Sequence, residues 1–184
     1  SRDHDLDQRV RDSGSVAGAV GQLVAAQVIT PFQAQILMGE ELVGGQPLRL
    51  TIGDYLLTER IGKGGMGVVL KARHRMMGRT VAIKLSADTS SNSKALRARM
   101  QREIRVAARL DHPNIVTAYD AGSTPDGAPF LVLQFVDAQS LHAVVREEGP
   151  LDIIDGVSFI RQCAAALHYA HQKGIIHRDI KPAN

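Results

Sequence analysis

Apolar positions keep a helical period at both ends of this chain and a strand-like alternation in the middle. Val16, Ala19, Val20, Leu23, Val24 and Val28 recur near helical spacing, which predicts a helix over about residues 15–27. Thr30-Pro31-Phe32-Gln33 reads as a capping box with proline at the first helical position. A second short helix therefore follows through Phe32, Ile36 and Leu37, ended by Gly39. Gly44-Gly45-Gln46-Pro47 has the punctuation of a linker. Beyond it the pattern turns to strands over residues 55–61, 68–74 and 80–85, the first two joined by a glycine-rich turn. A Ser/Asn/Asp-rich loop, 86–93, leads into a helix over about 94–110 with Leu96, Met100, Ile104, Ala107 and Leu110 as its apolar stripe. Residues 116–121 and 129–136 read as two more strands, joined through Gly122 and Pro125-Asp126-Gly127. The sum is an α+β unit, a five-stranded antiparallel sheet with one helix. Helical spacing resumes after Ser140, and a long helix is expected over about 153–173, closed by Gly174. The first 14 residues are too polar to fix themselves by burial, and there are no internal repeats.

Composition narrows the classes. A chain of 184 residues that is 44% hydrophobic can form one sizeable core or two small ones. The net charge of +3 is small and its Lys and Arg residues are scattered, so nucleic acid is not an expected partner. The lone Cys163 excludes an intramolecular disulfide and a Cys-rich zinc site, and fits a reducing compartment. No apolar run approaches the ~20 residues of a membrane span, and Asp3-His4-Asp5 does not open a secretory leader, so a cytoplasmic segment is expected. Because the chain starts at Ser1 and stops inside a motif, it is expected to belong to a longer parent, in which a membrane anchor could lie elsewhere.

Three constellations carry chemistry. Gly62-Lys63-Gly64-Gly65-Met66-Gly67 is followed at once by Val68 and Val69, so the glycines read as the turn of a hairpin rather than the start of a helix. Glycines lacking Cβ let such a hairpin lie over phosphates, although a plain Gly-rich hairpin has the same sequence. Lys84 interrupts the apolar strand Val81-Ala82-Ile83, and a cation there must reach water or meet an anion. Leu96, Met100, Glu103, Ala107 and Leu110 step by four, three, four and three, which puts Glu103 on the inward helix face and proposes a Lys84–Glu103 pair. The alternative is a surface acid beside Arg99 and Arg102. Finally, His177-Arg178-Asp179-Ile180-Lys181-Pro182-Ala183-Asn184 holds a proton acceptor, a lysine and a metal-ligand amide in one loop. His168, His171 and His177 lack the convergent partners of a zinc site, and the first two read as packing or surface groups.

Taken in order, the glycine-rich loop, Val81-Ala82-Ile83-Lys84 and the His-Arg-Asp loop resemble a bacterial serine/threonine protein kinase of the eukaryotic-like family, stopping after the catalytic loop. The resemblance covers about residues 53–184. It implies 53–136 as the N-lobe and 137–184 as the start of the C-lobe, and leaves residues 1–52 as the helical hairpin and linker read from their own pattern. It implies ATP and Mg²⁺ as cofactors and protein Ser/Thr hydroxyls as acceptors. Lys84 would orient the α- and β-phosphates, and Glu103 would position Lys84. The nucleotide would meet Ile61, Gly62, Lys63, Gly64, Gly65, Met66, Gly67, Val68, Val69 and Ala82. Leu133 would be the gatekeeper, with Gln134, Phe135 and Val136 as the hinge and Ser140 facing the ribose. Asp179 would accept or orient the substrate proton, Lys181 would stabilise the transferring phosphoryl group, and Asn184 would bind one Mg²⁺. Arg178 resembles the arginine that grips a phosphorylated activation segment.

The resemblance also implies that the long helix has lost its partners. Exposing Val157, Ile160, Leu167 and Ile175 would forfeit about 6–12 kcal/mol, so residues after about 137 are expected to be marginal and sticky on their own. Without the Asp-Phe-Gly metal motif and activation segment, this segment is expected to be inactive while the parent phosphorylates proteins. The alternatives are a nucleotide-binding regulatory pseudokinase, and an interaction module built on the N-terminal hairpin.

Overall fold

The computed structural model describes residues 8–43, 45–64, 67–86 and 94–183. Near the start, α1 (Val16–Ala25) is capped by Ser15, whose Oγ accepts from the Gly18 N–H. Helix α2 (Pro31–Leu37) opens with the expected capping box: Thr30 Oγ1 accepts from Gln33 N, and Gln33 Oε1 accepts from Thr30 N. It closes at Gly39, whose φ of +73° lets Gly39 N reach Ile36 O and Glu40 N reach Gln35 O.

The stretch expected as a linker is instead half of a hairpin. Strands β1 (Leu42–Val43) and β2 (Gln46–Pro47) pair antiparallel, with Gly45 in the turn at φ +78°. Glycine and proline punctuate turns and linkers alike. Here Val43 and Leu48 bury themselves against the sheet and pin the ribbon.

That sheet has six strands, β3 (Thr51–Ile52), β4 (Tyr55–Gly64), β5 (Gly67–His74), β6 (Thr80–Leu85), β7 (Ala118–Ser123) and β8 (Pro129–Gln134), ordered β3-β4-β5-β6-β8-β7. All neighbours are antiparallel. The five expected strands are present, and β3 adds a two-residue edge. Alternation sorts the side chains: Val81, Ile83 and Leu85 face one side, Ala82 and Lys84 the other. On the first side Leu57, Leu70, Ile83 and Val132 are all at 0% exposure. Phe32, Ile36, Val43 and Leu48 join this same cluster, so packing runs continuously across residue 52. Gly122 stands opposite Phe130, and a Cβ there would lie 2.7 Å from the ring, so the close approach requires glycine.

Helix α3 (Lys94–Ala107) buries Met100, packs near β8 and brings Glu103 to the Lys84 side of the sheet. It ends three residues earlier than its apolar stripe suggested. After the sheet come α4 (Leu141–Glu148) and α5 (Ile153–Gln172). Asp152 caps α5 by accepting from Ile154 N, and Gly174 ends it at φ +71°, with Ile175 N donating to Ala170 O and Gly174 N to His171 O. The segment after α3 ties to α5. Arg109 Nη2 donates to Lys173 O at 2.8 Å, Asp111 N to Tyr169 Oη at 3.1 Å, and Asn114 Nδ2 to Gln162 Oε1 at 2.9 Å.

The α5 face is exposed as expected at Val157 and Ile160, and Ile153 and Ile154 are barer still at 81% and 79%. Leu167 and Ile175 differ from expectation in being half-buried. Leu167 lines a groove together with Leu141, Val144, Ile180 and Pro182. Ile175 folds back over Ala170 through the helix-ending turn. Among the described residues no helix is long and apolar enough to cross a membrane.

Candidate active site

Register builds the first half of the site. In the β4–β5 hairpin Gly62 pairs with Val69, Lys63 with Val68 and Gly64 with Gly67. A Cβ at Gly62 or Gly64 would meet nothing within 4 Å, and neither has a positive φ. Packing inside the protein therefore does not require glycine there. A ligand that comes close to the backbone would.

Directly across from Val69 lies Lys84, and across from Lys84 lies Leu131. Because Lys84 faces away from the apolar core, its ammonium meets Glu103 of α3, at 2.6 Å to Oε1 and 2.8 Å to Oε2. The side chains are 21% and 35% exposed, so the pair is partly screened from solvent. The helical period that put Glu103 inward and the strand period that put Lys84 on the same side thus lead to one contact.

The next row of the same face is Lys71, Ala82 and Leu133, with Ala82 small and buried between its neighbours. Lys71 Nζ lies over the Phe135 ring, 4.5 Å from its centroid, an attraction between cation and ring that closes one side of this row. Sequence reasoning missed Lys71, although its place two residues after Val69 puts it on the same face. Ile61 and Val136 are about half exposed, as the rim of an open surface would be. Val68 is a correction: its side chain is 3% exposed and belongs to the core on the opposite face, because strand alternation sends it away from Val69. Only its backbone is left for a ligand. Ser140, expected at a ribose, is the N-cap of α4, with Oγ accepting from Ala143 N.

The second half is the loop after α5. Lys181 Nζ lies 3.1 and 3.0 Å from the two carboxylate oxygens of Asp179. Both side chains are more than half exposed, so this pair is worth only about 0–1 kcal/mol and leaves both groups adaptable. Asp179 N donates to His177 Nδ1 at 3.3 Å, which makes His177 a brace of the loop. Arg178 holds φ +66°, a conformation that costs a non-glycine residue energy and turns the chain between His177 and Asp179. Farther on, Pro182 O accepts from His142 N at 2.8 Å and anchors the loop to the start of α4. Gly65, Met66 and Asn184 lie outside the described residues.

The fold, a glycine hairpin beside a lysine–glutamate pair and an Asp/Lys loop after a long helix together make up the arrangement of a protein-kinase-like fold. The protein kinase domain family matches residues 55–184, and the chain belongs to that family. It is 42% identical over 132 residues to the serine/threonine-protein kinase PknD of Mycobacterium tuberculosis, covering 72% of this chain and 20% of that protein. To the serine/threonine-protein kinase pkn3 of Myxococcus xanthus it is 39% identical over 130 residues, covering 71% and 24%. The crystal structure of the M. tuberculosis PknI kinase domain superposes with a TM-score of 0.59 at 32% identity, covering 73% of this chain and 54% of that one. The chain thus spans about a fifth to a quarter of these curated relatives.

Proposed function

We propose that residues 53–136 and 137–184 are the N-lobe and the first part of the C-lobe of a kinase whose parent protein transfers the γ-phosphoryl group of ATP to protein Ser/Thr hydroxyls. The observation that carries this reading is the two-oxygen Lys84–Glu103 contact beneath the glycine hairpin. A lysine held in this way is a fixed cation for the α- and β-phosphates. Gly62, Gly64 and Gly67 let the backbone approach the phosphates, while Ile61, Val69, Ala82 and Leu133 sandwich the base, and the hinge at Phe135 and Val136 offers backbone groups to its edge. Asp179 takes or orients the proton of the acceptor hydroxyl as that oxygen bonds to the γ-phosphorus and the bond to the ADP oxygen breaks. Lys181 leaves its weak pairing with Asp179 to meet charge on the phosphoryl oxygens. When bound, Mg²⁺ neutralises phosphate charge; Asn184 would hold it together with a carboxylate further along the parent chain. The working compartment is the cytoplasm.

The segment 1–184 alone is inactive in this reading, because the exposed α5 face awaits the rest of the C-lobe and the second metal ligand is supplied from beyond it. Phosphate incorporation into a generic protein substrate tests both parts. In the parent protein, Lys84→Met and Asp179→Asn should each lower kcat/KM by about 10²-fold or more. A parent that binds MgATP tightly yet transfers nothing would point to a regulatory nucleotide binder. Robust metal-dependent transfer by purified 1–184 would overturn the inactivity of the segment.

A further inference from the structure

Strand β4 carries the glycine-rich sequence, and its ladder to β5 is interrupted twice. The register slips between Leu57 and Glu59 and again between Arg60 and Gly62, leaving Thr58 and Ile61 as extra residues. On its other side β3 pairs only with Leu56 and Tyr55, and Leu50 O takes the Leu57 N–H. From Leu57 onward the outer edge of β4 therefore presents carbonyls that no strand meets.

Side chains from the N-terminal segment meet them. Gln33 Nε2 donates to Leu57 O at 2.7 Å, and Thr30 Oγ1 donates to Thr58 O at 2.8 Å. These are the two residues of the α2 capping box, so each side chain holds the helix start with one contact and β4 with another. Two residues along, Arg60 Nη1 contacts both carboxylate oxygens of Glu41, at 3.0 and 2.7 Å. Glu41 is 8% exposed, and its carbonyl accepts from Leu48 N, which locks it to the β1–β2 ribbon. Arg60 immediately precedes Ile61 and Gly62. All of these braces come from residues before the kinase-family match begins at residue 55.

We propose that residues 30–48 form an external brace for the glycine-rich hairpin, with Gln33 and Glu41 as positioning residues that raise nucleotide affinity without touching the nucleotide. The nucleotide part rests on the function proposed above. The brace works by restricting a bulged strand before the ligand arrives, so that less ordering remains to oppose binding.

The test compares full-length wild type, Glu41→Gln and the charge swap Glu41→Arg/Arg60→Glu by hydrogen exchange and by calorimetric titration with MgADP. Glu41→Gln should speed exchange at residues 60–64, leave residues 130–134 unchanged, and weaken MgADP binding by about three- to tenfold, while the swap recovers both. Unchanged exchange at 60–64, or acceleration spread evenly over the sheet, would overturn the brace. Faster exchange with unaltered affinity would overturn the positioning role. A wild-type protein that binds no MgADP would overturn the nucleotide reading instead, and the exchange data would still decide the brace.

Discussion

The sheet and the C-terminal helices contain similar aliphatic residues and use them in opposite ways. Leu57, Leu70, Ile83 and Val132 are fully enclosed between the strands and the N-terminal segment, whereas Ile153, Ile154 and Ile160 on α5 stand more than 70% exposed. The sheet closes over its own apolar face with elements that precede it in the chain. Helix α5 instead shows regular capping at both ends and an apolar stripe with little to bury it. Good local signals make a helix, then, but only a facing surface makes a core. The sheet half thus forms a closed core within these residues, whereas α5 keeps an exposed apolar stripe.

Paired truncations break this contrast most sharply. Ile83→Ala should cost about 2–5 kcal/mol in urea unfolding, because a fully enclosed side chain leaves a cavity behind. Ile160→Ala, on the exposed stripe, should stay within about 0.5 kcal/mol. Comparable losses at the two sites would mean that α5 is covered in solution. A smaller effect comes from overfilling. Gly122→Ala places its Cβ 2.7 Å from the buried Phe130 ring, so a loss of about 1–3 kcal/mol is expected in the same assay. A neutral result would show that Phe130 has room to move and that the outer core is looser than its burial implies.

What could be read from sequence was what depends on local rules or on a single period. The Thr30–Gln33 capping box, the glycine end of α5 and the Lys84–Glu103 pair all follow from spacing on one element or on two faces with independent periods. The ribbon at residues 42–47 was not legible, because its turn chemistry equals that of a linker and only Val43 and Leu48, by burying themselves, decide between them. Docking of α2 onto β4 was hidden for the same reason. Nothing local in Gln33 says that its amide will meet the Leu57 carbonyl as well as cap its own helix. Val68 and Val69 look alike in a glycine-loop motif, yet alternation sends one to the core and the other toward Lys84.

The subtlest probe of the self-contained half is Tyr55, at the start of β4. It is buried, packs edge-on against His74, and donates its hydroxyl to Asp120 of β7 at 3.2 Å, linking the two sides of the sheet. Burial foremost, then the charge of Asp120 and its hydrogen bond, raise the phenol pKa above the ordinary 10.0. The folded state therefore holds this proton more tightly than the unfolded chain does. The resulting stabilisation is complete below the unfolded pKa and is lost as pH rises through the folded value. Tyr55→Phe removes both the bond and the titration, so wild type should exceed it by about 0.5–1.5 kcal/mol near pH 8, with the gap narrowing above pH ~10. Urea midpoints of the two proteins at each pH measure this, since titrations common to both cancel. A gap that stays constant through pH ~10.5 would mean that the folded state does not hold the phenol proton more tightly than the unfolded chain, and that neither burial nor Asp120 acts on Tyr55 as described.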